Sequence, residues 1–238
     1  MSIPDAAVRM TGIVKHYGGL RPLRVAALSV GPRERVAIAG LDGAAAEVLV
    51  NLVTGASLPD AGEMGVQGQA TTAITDADQW LSGLDRFGIV SARAVLLEEL
   101  TLAANIAMVF TLSIEPIADH VMAGVRQLAD EVGIDAGLLN TPLGGVDSEV
   151  KARCHLARAL ALHPRLLVLE HANAVAGGAA IAFAGLVARV SARRSLPVLA
   201  LTADEAFGRA VATRVFTLEP ATGELRDRSG WRSWLLRS

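Results

Sequence analysis

The fold class is decided by residues 35–48, RVAIAGLDGAAAEV. The run RVAIA, residues 35–39, is short and apolar, which is typical of a buried strand. The turn residues GLDG, 40–43, follow it, and an apolar helical pattern then continues to residue 53. A strand, a glycine-containing loop and a helix in this order are the setting that a phosphate-binding loop requires.

The rest of the chain continues the alternation of strands and helices. Predicted strands cover residues 8–10, 12–14, 25–30, 63–66, 87–90, 165–169, 196–201 and 214–218, and predicted helices cover about 179–192 and 207–212. Between about residues 96 and 162 the pattern is mostly helical. Such alternation favours a mainly parallel sheet, and the central helices predict an inserted helical subdomain.

Composition and charge limit the classes of protein. Of the 238 residues, 52% are hydrophobic and 19% are charged, so a large core is available and disorder is not expected. The formal net charge of −2 gives no electrostatic case for a nucleic-acid partner. Cys154 is the only cysteine, which excludes a disulfide within the chain and fits a reducing compartment.

Two further features bear on location. The first ten residues lack the pattern of a signal peptide, and the longest apolar run, 175–188, is shorter than the roughly 18 residues expected of a membrane span. The mean hydropathy of +0.41 is high for a soluble chain, and an apolar surface covered by a partner would account for part of it. We therefore expect a soluble, cytoplasmic protein.

Five segments, in this order, resemble one known family. They are 40–48, 52–55 with 59–63, 89–93, 156–169 and 201–204. They are similar to the P-loop, the "L-I-T-G…P-D-x-G-E" stretch, the glutamine loop, the signature helix with its Walker B strand, and the switch of ABC transporter ATPases. The chain is identified as a degenerate member of that nucleotide-binding domain family, because the order and spacing match together.

The resemblance implies an α/β, P-loop NTPase-like cassette with a mainly parallel core, N-terminal antiparallel strands and an inserted helical subdomain. It also implies one ABC-type domain over residues 1–238, with core segments 1–91 and 163–238 and a helical subdomain at about 92–162. Such a cassette works in the cytoplasm, at the inner face of a membrane.

The P-loop-like segment keeps little of the family's phosphate chemistry. The family pattern is G-x-x-G-x-G-K-[ST]-[ST], and Gly40 and Gly43 match its first two glycines, with Asp42 between them. The next five positions, which the family uses for the third glycine, the lysine and the hydroxyls, are Ala44, Ala45, Ala46, Glu47 and Val48. A carboxylate at position 47 would repel a phosphate about 4 Å away by roughly 4 kcal/mol at an effective dielectric of 20. Alternatively, the glycines only shape a strand-to-helix turn.

The other hydrolytic positions are also replaced. Glu170-His171 stands where the family has Asp-Glu, Ala92 where it has the glutamine, and Ala203 where it has the switch histidine. Glu170 could still reach a metal and His171 could act as a base. Alternatively, Glu170 and His171 are two polar residues at the exposed end of a strand and have no chemical role. We therefore expect no catalytic residue and, at most, weak binding of ATP with Mg²⁺.

The signature and the adenine-stacking residue are the remaining nucleotide features. An ungapped alignment places the signature at Asp147, Ser148 and Glu149, whereas a rival alignment uses 143–145, LGG. Asp147 or Ser148 could instead cap the next helix. Tyr17 matches the aromatic residue that stacks on adenine, although an aromatic ring at a strand end could equally be packing.

The resemblance also predicts one cluster of charged residues. The P-loop hydroxyl and the Walker B carboxylate of the family converge on Mg²⁺, so Glu47 and Glu170 should lie close together, with His171 adjacent. These three residues are weak candidates for a metal site. The two carboxylates could also share a proton, and a solvated acidic patch is the simpler interpretation.

These losses favour a non-catalytic cassette that binds a transmembrane permease, a second ABC cassette, or both. A homodimer is also open, and the predicted permease surface is the groove beside Ala92 and residues 100–110. Two alternatives are a divergent working ATPase and a free-standing regulator or scaffold. The sequence disfavours a dinucleotide-binding dehydrogenase, because GLDG does not give G-x-G-x-x-G and the later segments would go unexplained. Cys154 beside His155 on one helix gives no nucleophile–base pair.

Overall fold

The computed structural model describes residues 6–228 and contains two β-sheets. The strands are β1 Val8–Lys15, β2 Leu23–Val30, β3 Arg35–Ala39, β4 Ala61–Val66, β5 Gln69–Ala70, β6 Phe87–Ser91, β7 Leu166–Glu170, β8 Val198–Thr202, β9 Arg214–Leu218 and β10 Leu225–Asp227. The order β2-β1-β4-β5 forms an antiparallel sheet, and β10-β9-β3-β8-β7-β6 forms a second, larger one. The second sheet is parallel except for its edge strand β10, so the predicted combination of sheets is confirmed.

Eight α-helices lie in the described part of the chain. They are α1 Gly43–Val53, α2 Ala77–Gly83, α3 Leu102–Ala107, α4 Asp119–Glu131, α5 Ser148–Leu160, α6 Ala172–Ala176, α7 Ala180–Arg194 and α8 Glu205–Val211. Helices α3 to α5 follow β6 and precede β7, where the sequence predicts a helical block. The exact division at residues 91–92 and 162–163 stays a prediction.

Alternate residues of the parallel strands enter two separate cores. In β7, Leu166 and Val168 face the core that contains α1 and the antiparallel sheet, whereas Leu167 and Leu169 face the core of the other helices. Both faces of the parallel sheet are therefore covered, which explains why its strands are continuous apolar runs in the sequence. Helix α1 lies between the two sheets, and the turn that precedes it is thereby held at the carboxyl end of β3.

One helical stretch, Ala172–Arg194, is long and apolar enough to cross a membrane by length and composition alone. It is interrupted by a 3-10 turn at Gly177–Ala179. Its apolar residues Phe183, Leu186 and Val187 are buried in the helical core of the protein. We therefore interpret it as a core helix, since such helices meet the same length and composition test.

Candidate functional site

In the turn between β3 and α1, the carboxylate of Asp42 binds the start of the helix. Gly40 takes a left-handed conformation, with φ of 78°, and α1 begins at Gly43. Asp42 caps the helix, because its Oδ1 accepts a hydrogen bond of 2.7 Å from the amide of Ala45. The amides at a helix start are the groups that hold phosphate in P-loops. In this chain one of them is already bonded to an internal anion.

The lysine position is part of the core. Ala46 has no exposed surface and packs among the residues between the two sheets, and Ala45 is buried beside it. Ala44 is exposed and Val48 is half-buried. The alanines therefore extend the helix toward the turn as packing residues, and none of them offers a charge to a phosphate.

Glu47 and Glu170 come together, as the resemblance predicts, but an arginine lies between them. The Nη1 of Arg93 donates to Glu47 Oε1 over 2.8 Å. The Nε and Nη2 of Arg93 both donate to Glu170 Oε2, over 3.0 and 2.8 Å. The Glu170 side chain is only 6% exposed, whereas those of Arg93 and Glu47 are about half exposed. One guanidinium thus joins α1, the end of β7 and the segment after β6.

This arginine changes the interpretation of the acidic pair. The two carboxylates correspond to positions that converge on Mg²⁺ in the family, and here they share a cation from the chain itself. Within residues 6–228, no group of three or more histidine, cysteine or acidic residues is arranged to hold a metal ion. The bridge also differs from the solvated acidic patch of the sequence interpretation, because Glu170 is buried and ion-paired.

Sequence reasoning missed Arg93. It stands next to Ala92 in the glutamine-loop segment, but its partners are 46 and 77 residues away. Only the folded topology brings these positions together. The available signal was a basic residue beside Ala92, in the segment that resembles the family's glutamine loop.

His171 has an unusual backbone but no acid–base partner. Its φ of 45° is left-handed, its amide donates to the Leu201 carbonyl over 2.9 Å, and the Ala174 amide donates to its carbonyl. Its Nε2 is buried and has no hydrogen-bond partner in the described residues. The geometry therefore shows a turn residue at the end of β7, with no group positioned to accept or deliver a proton at Nε2.

Hydrogen bonds of Thr202 and Asp204 hold the segment that resembles the family's switch, and the side chain of Ala203 takes no part in them. The Oγ1 of Thr202 donates to Asn173 Oδ1 over 2.9 Å and accepts from the Asp204 amide over 3.0 Å. Asp204 then caps α8 through the amide of Phe207. Ala203 and Ala92 both end in exposed methyl groups, so neither offers a hydrogen bond to a nucleotide or to water.

Tyr17 lines a cavity of about 570 Å³ beside the turn. Other residues around this cavity include Arg21, Leu41 and Pro220. The Tyr17 ring lies against Gly19, where an added Cβ would approach the ring carbon at 3.0 Å, and it also packs against the core between the sheets. The residue thus packs and lines a cavity at once, and both interpretations of it stay open.

Comparison with known proteins connects these features to a family. The family model described as ABC transporter matches residues 23–174. This chain belongs to the ABC transporter family.

Curated relatives agree with the assignment. The methionine import ATP-binding protein MetN of Brucella abortus (strain 2308) is 28% identical over 213 residues, covering 89% of this chain and 57% of MetN. The Fe(3+) ions import ATP-binding protein FbpC 2 of Rhodococcus jostii is 28% identical and is matched over 58% of its length. The chain therefore spans a little over half the length of these relatives.

Solved ABC structures share the fold. The cbiO1 structure from Clostridium perfringens, described as part of the transporter complex cbiONQ, aligns with a TM-score of 0.76 at 17% identity, over 93% of this chain and 87% of cbiO1. The dimeric bacterial cassette MJ0796 aligns with a TM-score of 0.72 at 17% identity, over 94% of this chain and all of that one. The predicted ABC cassette fold is confirmed.

The segment that the ungapped alignment matches to the family's signature begins a helix. Asp147 caps α5, because its Oδ1 accepts a bond of 2.8 Å from the Val150 amide, in agreement with the interpretation of Asp147 as a cap. Glu149 pairs with Arg153 on the same helix, and Ser148 donates to the Ala176 carbonyl over 3.4 Å. The acidic side chains are thus occupied within the chain. The rival segment Leu143–Gly145 forms a 3-10 turn just before this helix.

The pair Cys154 and His155 lies inside the helical core. Burial raises the pKa of the Cys154 thiol to about 12, so the thiolate that nucleophilic chemistry needs is not formed. Burial, helped by the charge of Arg158, lowers the pKa of His155 to about 4. Both residues are packing residues of α5, which agrees with the exclusion of a cysteine hydrolase.

Proposed function

We propose that this chain is a non-catalytic ABC cassette subunit of a transporter or related membrane complex, with impaired binding and hydrolysis of ATP. The observation that supports this most is the Arg93 bridge between Glu47 and Glu170. It places a fixed cation and two carboxylates where the resemblance expects Mg²⁺ and its ligands. A nucleotide with its metal would have to displace an ion pair whose inner carboxylate is nearly buried.

The remaining replacements support the same proposal. Hydrolysis in the family uses a lysine, a glutamine and a switch histidine, and these positions hold Ala46, Ala92 and Ala203. None of these methyl groups can neutralise a phosphate or orient water. The catalytic glutamate position is His171, whose Nε2 has no described partner.

An exposed apolar surface supports a docking role. Val95 is 70% exposed and Leu112 is 89% exposed, and Phe110 and Leu97 are partly exposed between them in the sequence. Contiguous exposed apolar patches mark interaction surfaces, and we infer that these four side chains belong to one. Val95 and Leu97 follow Ala92, and Phe110 ends the range 100–110 that the sequence predicts for a permease contact, whereas Leu112 lies two residues beyond it. The proposed partners are a transmembrane permease and a second cassette, at the inner face of a membrane.

Two other functions remain as candidates. The cavity beside Tyr17 favours a divergent ATP-binding subunit, because it is large enough for part of a nucleotide and adjoins the α1 turn. A free-standing regulator would keep the fold without a permease. It would be recognised as a stable homodimer that does not associate with membranes.

Calorimetry with Mg²⁺–ATP tests the loss of binding. The natural chain is compared with an Ala46→Lys, Glu47→Ser variant, with the MJ0796 cassette as the positive control. We expect no heat of binding from the natural chain at concentrations that saturate the control. Binding by the natural chain with a micromolar Kd would contradict the proposal and favour the divergent ATPase.

The docking role is tested by co-purification with membranes. A tagged full chain in its host is compared with Val95→Asp and Leu112→Asp variants, and Leu81→Asp serves as a control because Leu81 is also exposed, at 55%, on the separate helix α2. We expect the two surface variants to lose membrane association while the control keeps it. Equal recovery of all four chains would rule out this surface.

A further inference from the structure

The segment between β6 and α3, residues 92–101, forms neither a helix nor a strand, but side chains of α3 and α5 bond its backbone. Arg158 on α5 donates to the Val95 carbonyl over 2.8 Å. The fully buried Asn105 accepts from the Leu97 amide and donates to the Leu97 carbonyl, over 2.9 Å in each case. Lys151 pairs with Glu98 over 2.7 Å. Helices α3 and α5 therefore hold the middle of the segment.

Its beginning is held from the opposite side. The Arg93 side chain links this segment to α1 and β7, while the Arg93 and Ala94 amides donate to the Oγ and the carbonyl of Ser91 at the end of β6. Val95, an exposed apolar residue of the proposed docking surface, follows two positions later. Arg93 thus connects the position that the resemblance assigns to Mg²⁺ with the surface that would meet a partner.

We propose that Arg93 is a built-in cation that fixes the docking segment in one conformation without nucleotide or metal. That this segment docks a partner rests on the proposed function. The clamp, by which we mean the bridge from Arg93 to Glu47 and Glu170, does not. A preformed surface costs less conformational entropy on binding than one that must be ordered first. The clamp itself needs neither ATP nor Mg²⁺, because its cation is a side chain of this chain.

Charge explains why the clamp also excludes a divalent cation. Glu47 and Glu170 are the two carboxylates that could bind a metal at this place, and both already accept charged hydrogen bonds from Arg93. A metal ion would have to expel the guanidinium and meet its repulsion nearby. Without Arg93, Glu170 would be a nearly buried carboxylate with no cation, and a metal would become favourable.

Hydrogen exchange resolved by residue tests the clamp. The full chain is compared with Arg93→Met, which removes the charge at similar length, with Arg93→Lys, and with Arg189→Met as a control at an exposed position on α7. We expect exchange of the amides at 93 and 94 to rise about 10-fold in Arg93→Met, because local opening becomes easier, and less in Arg93→Lys. The amide of Val168, which is fully buried in β7 between β6 and β8, reports global stability and should not change.

Binding of Mn²⁺, followed by electron paramagnetic resonance, is the second measurement. We expect Arg93→Met to bind Mn²⁺ and thereby regain slow exchange at 93 and 94. The natural chain and an Arg93→Met, Glu47→Gln, Glu170→Gln variant should bind at least about 10-fold more weakly. Unchanged exchange in both Arg93 variants, or equal Mn²⁺ binding by the natural chain and Arg93→Met, would overturn the proposal. Neither result depends on whether the chain docks a permease or binds ATP.

Discussion

At the scale of single residues, burial decides which ionisable groups make the stability of the protein depend on pH. His155 lies in the core of the helical region and its pKa is lowered to about 4 by burial. In the unfolded chain a histidine titrates near 6.5. Between these two values the unfolded state binds a proton that the folded state does not, so acid favours unfolding.

We therefore predict a loss of stability between about pH 6.5 and pH 4 that depends on His155. The difference in pKa corresponds to up to about 3 kcal/mol of unfolding free energy, present at pH 7 and lost at pH 4 and below. Urea denaturation of the natural chain and of His155→Gln, repeated across this range, measures it. If both chains lose stability in parallel, His155 is not the titrating group.

At the scale of secondary-structure elements, the caps at helix starts and the ion pairs between helices decide how much each helix contributes to stability. Asp42 caps α1 with a bond of 2.7 Å, and Asp76 caps α2 with one of 2.8 Å. Helix α1 is packed between the two sheets, whereas α2 has no buried residue. The same cap should therefore matter differently in the two helices.

We predict that Asp42→Ala lowers the unfolding free energy by about 1 kcal/mol, as expected for a lost helix cap. The matched change Asp76→Ala should have little effect on global unfolding, because α2 can fray without opening the core. Denaturant titration of both variants distinguishes them. An effect of Asp76→Ala as large as that of Asp42→Ala would contradict this distinction.

Helix α4 is attached to α7 by an ion pair between Glu131 and Arg194. The hydrogen bond from Arg194 lowers the pKa of Glu131 below its ordinary value of 4.5. The pair therefore stabilises the fold above pH 4.5, and this stability is lost as the pH falls through the lowered value. We predict that Glu131→Gln is less stable than the natural chain at pH 7 and that the difference shrinks below pH 4.5, as followed by thermal unfolding.

The same scale shows what the sequence could predict. The strands of the parallel sheet were found because each is a short apolar run covered on both faces. Helix α2 and the short strands β5 and β10 were missed, because their residues are mostly exposed and give no hydrophobic period. The meeting of Glu47 with Glu170 was predicted through the family resemblance. Arg93 was not, since its bonds join segments that only the fold brings together, and the cap by Asp42 was overlooked although an Asp just before a helix is a sequence signal for a cap.

At the scale of the whole molecule, α1 makes the two sheets one cooperative unit. Its residue Leu49 is fully buried in the core that contains the antiparallel sheet and one face of the parallel sheet. Neither sheet alone could form this core, because α1 and residues of both sheets contribute to it. The two sheets should therefore lose their structure together.

We predict that Leu49→Ala lowers the unfolding free energy by about 3 kcal/mol, the usual cost of a cavity of this size, while unfolding keeps a single transition. Hydrogen exchange of amides in β1 of the antiparallel sheet and in β8 of the parallel sheet should give the same opening free energy, and Leu81→Ala on exposed α2 is the control. Different opening free energies for the two sheets in the natural chain would show that the sheets unfold independently.

The buried cysteine of α5 has a practical consequence for studying this molecule. Cys154 is the only thiol in the chain, and its burial and raised pKa make it unreactive while the protein is folded. A cysteine introduced at an exposed position such as Leu112 would then be the only site that a maleimide dye or spin label could modify. The natural chain is already a suitable background for labelling, so distances and motions at the apolar surface can be measured without first removing a native residue.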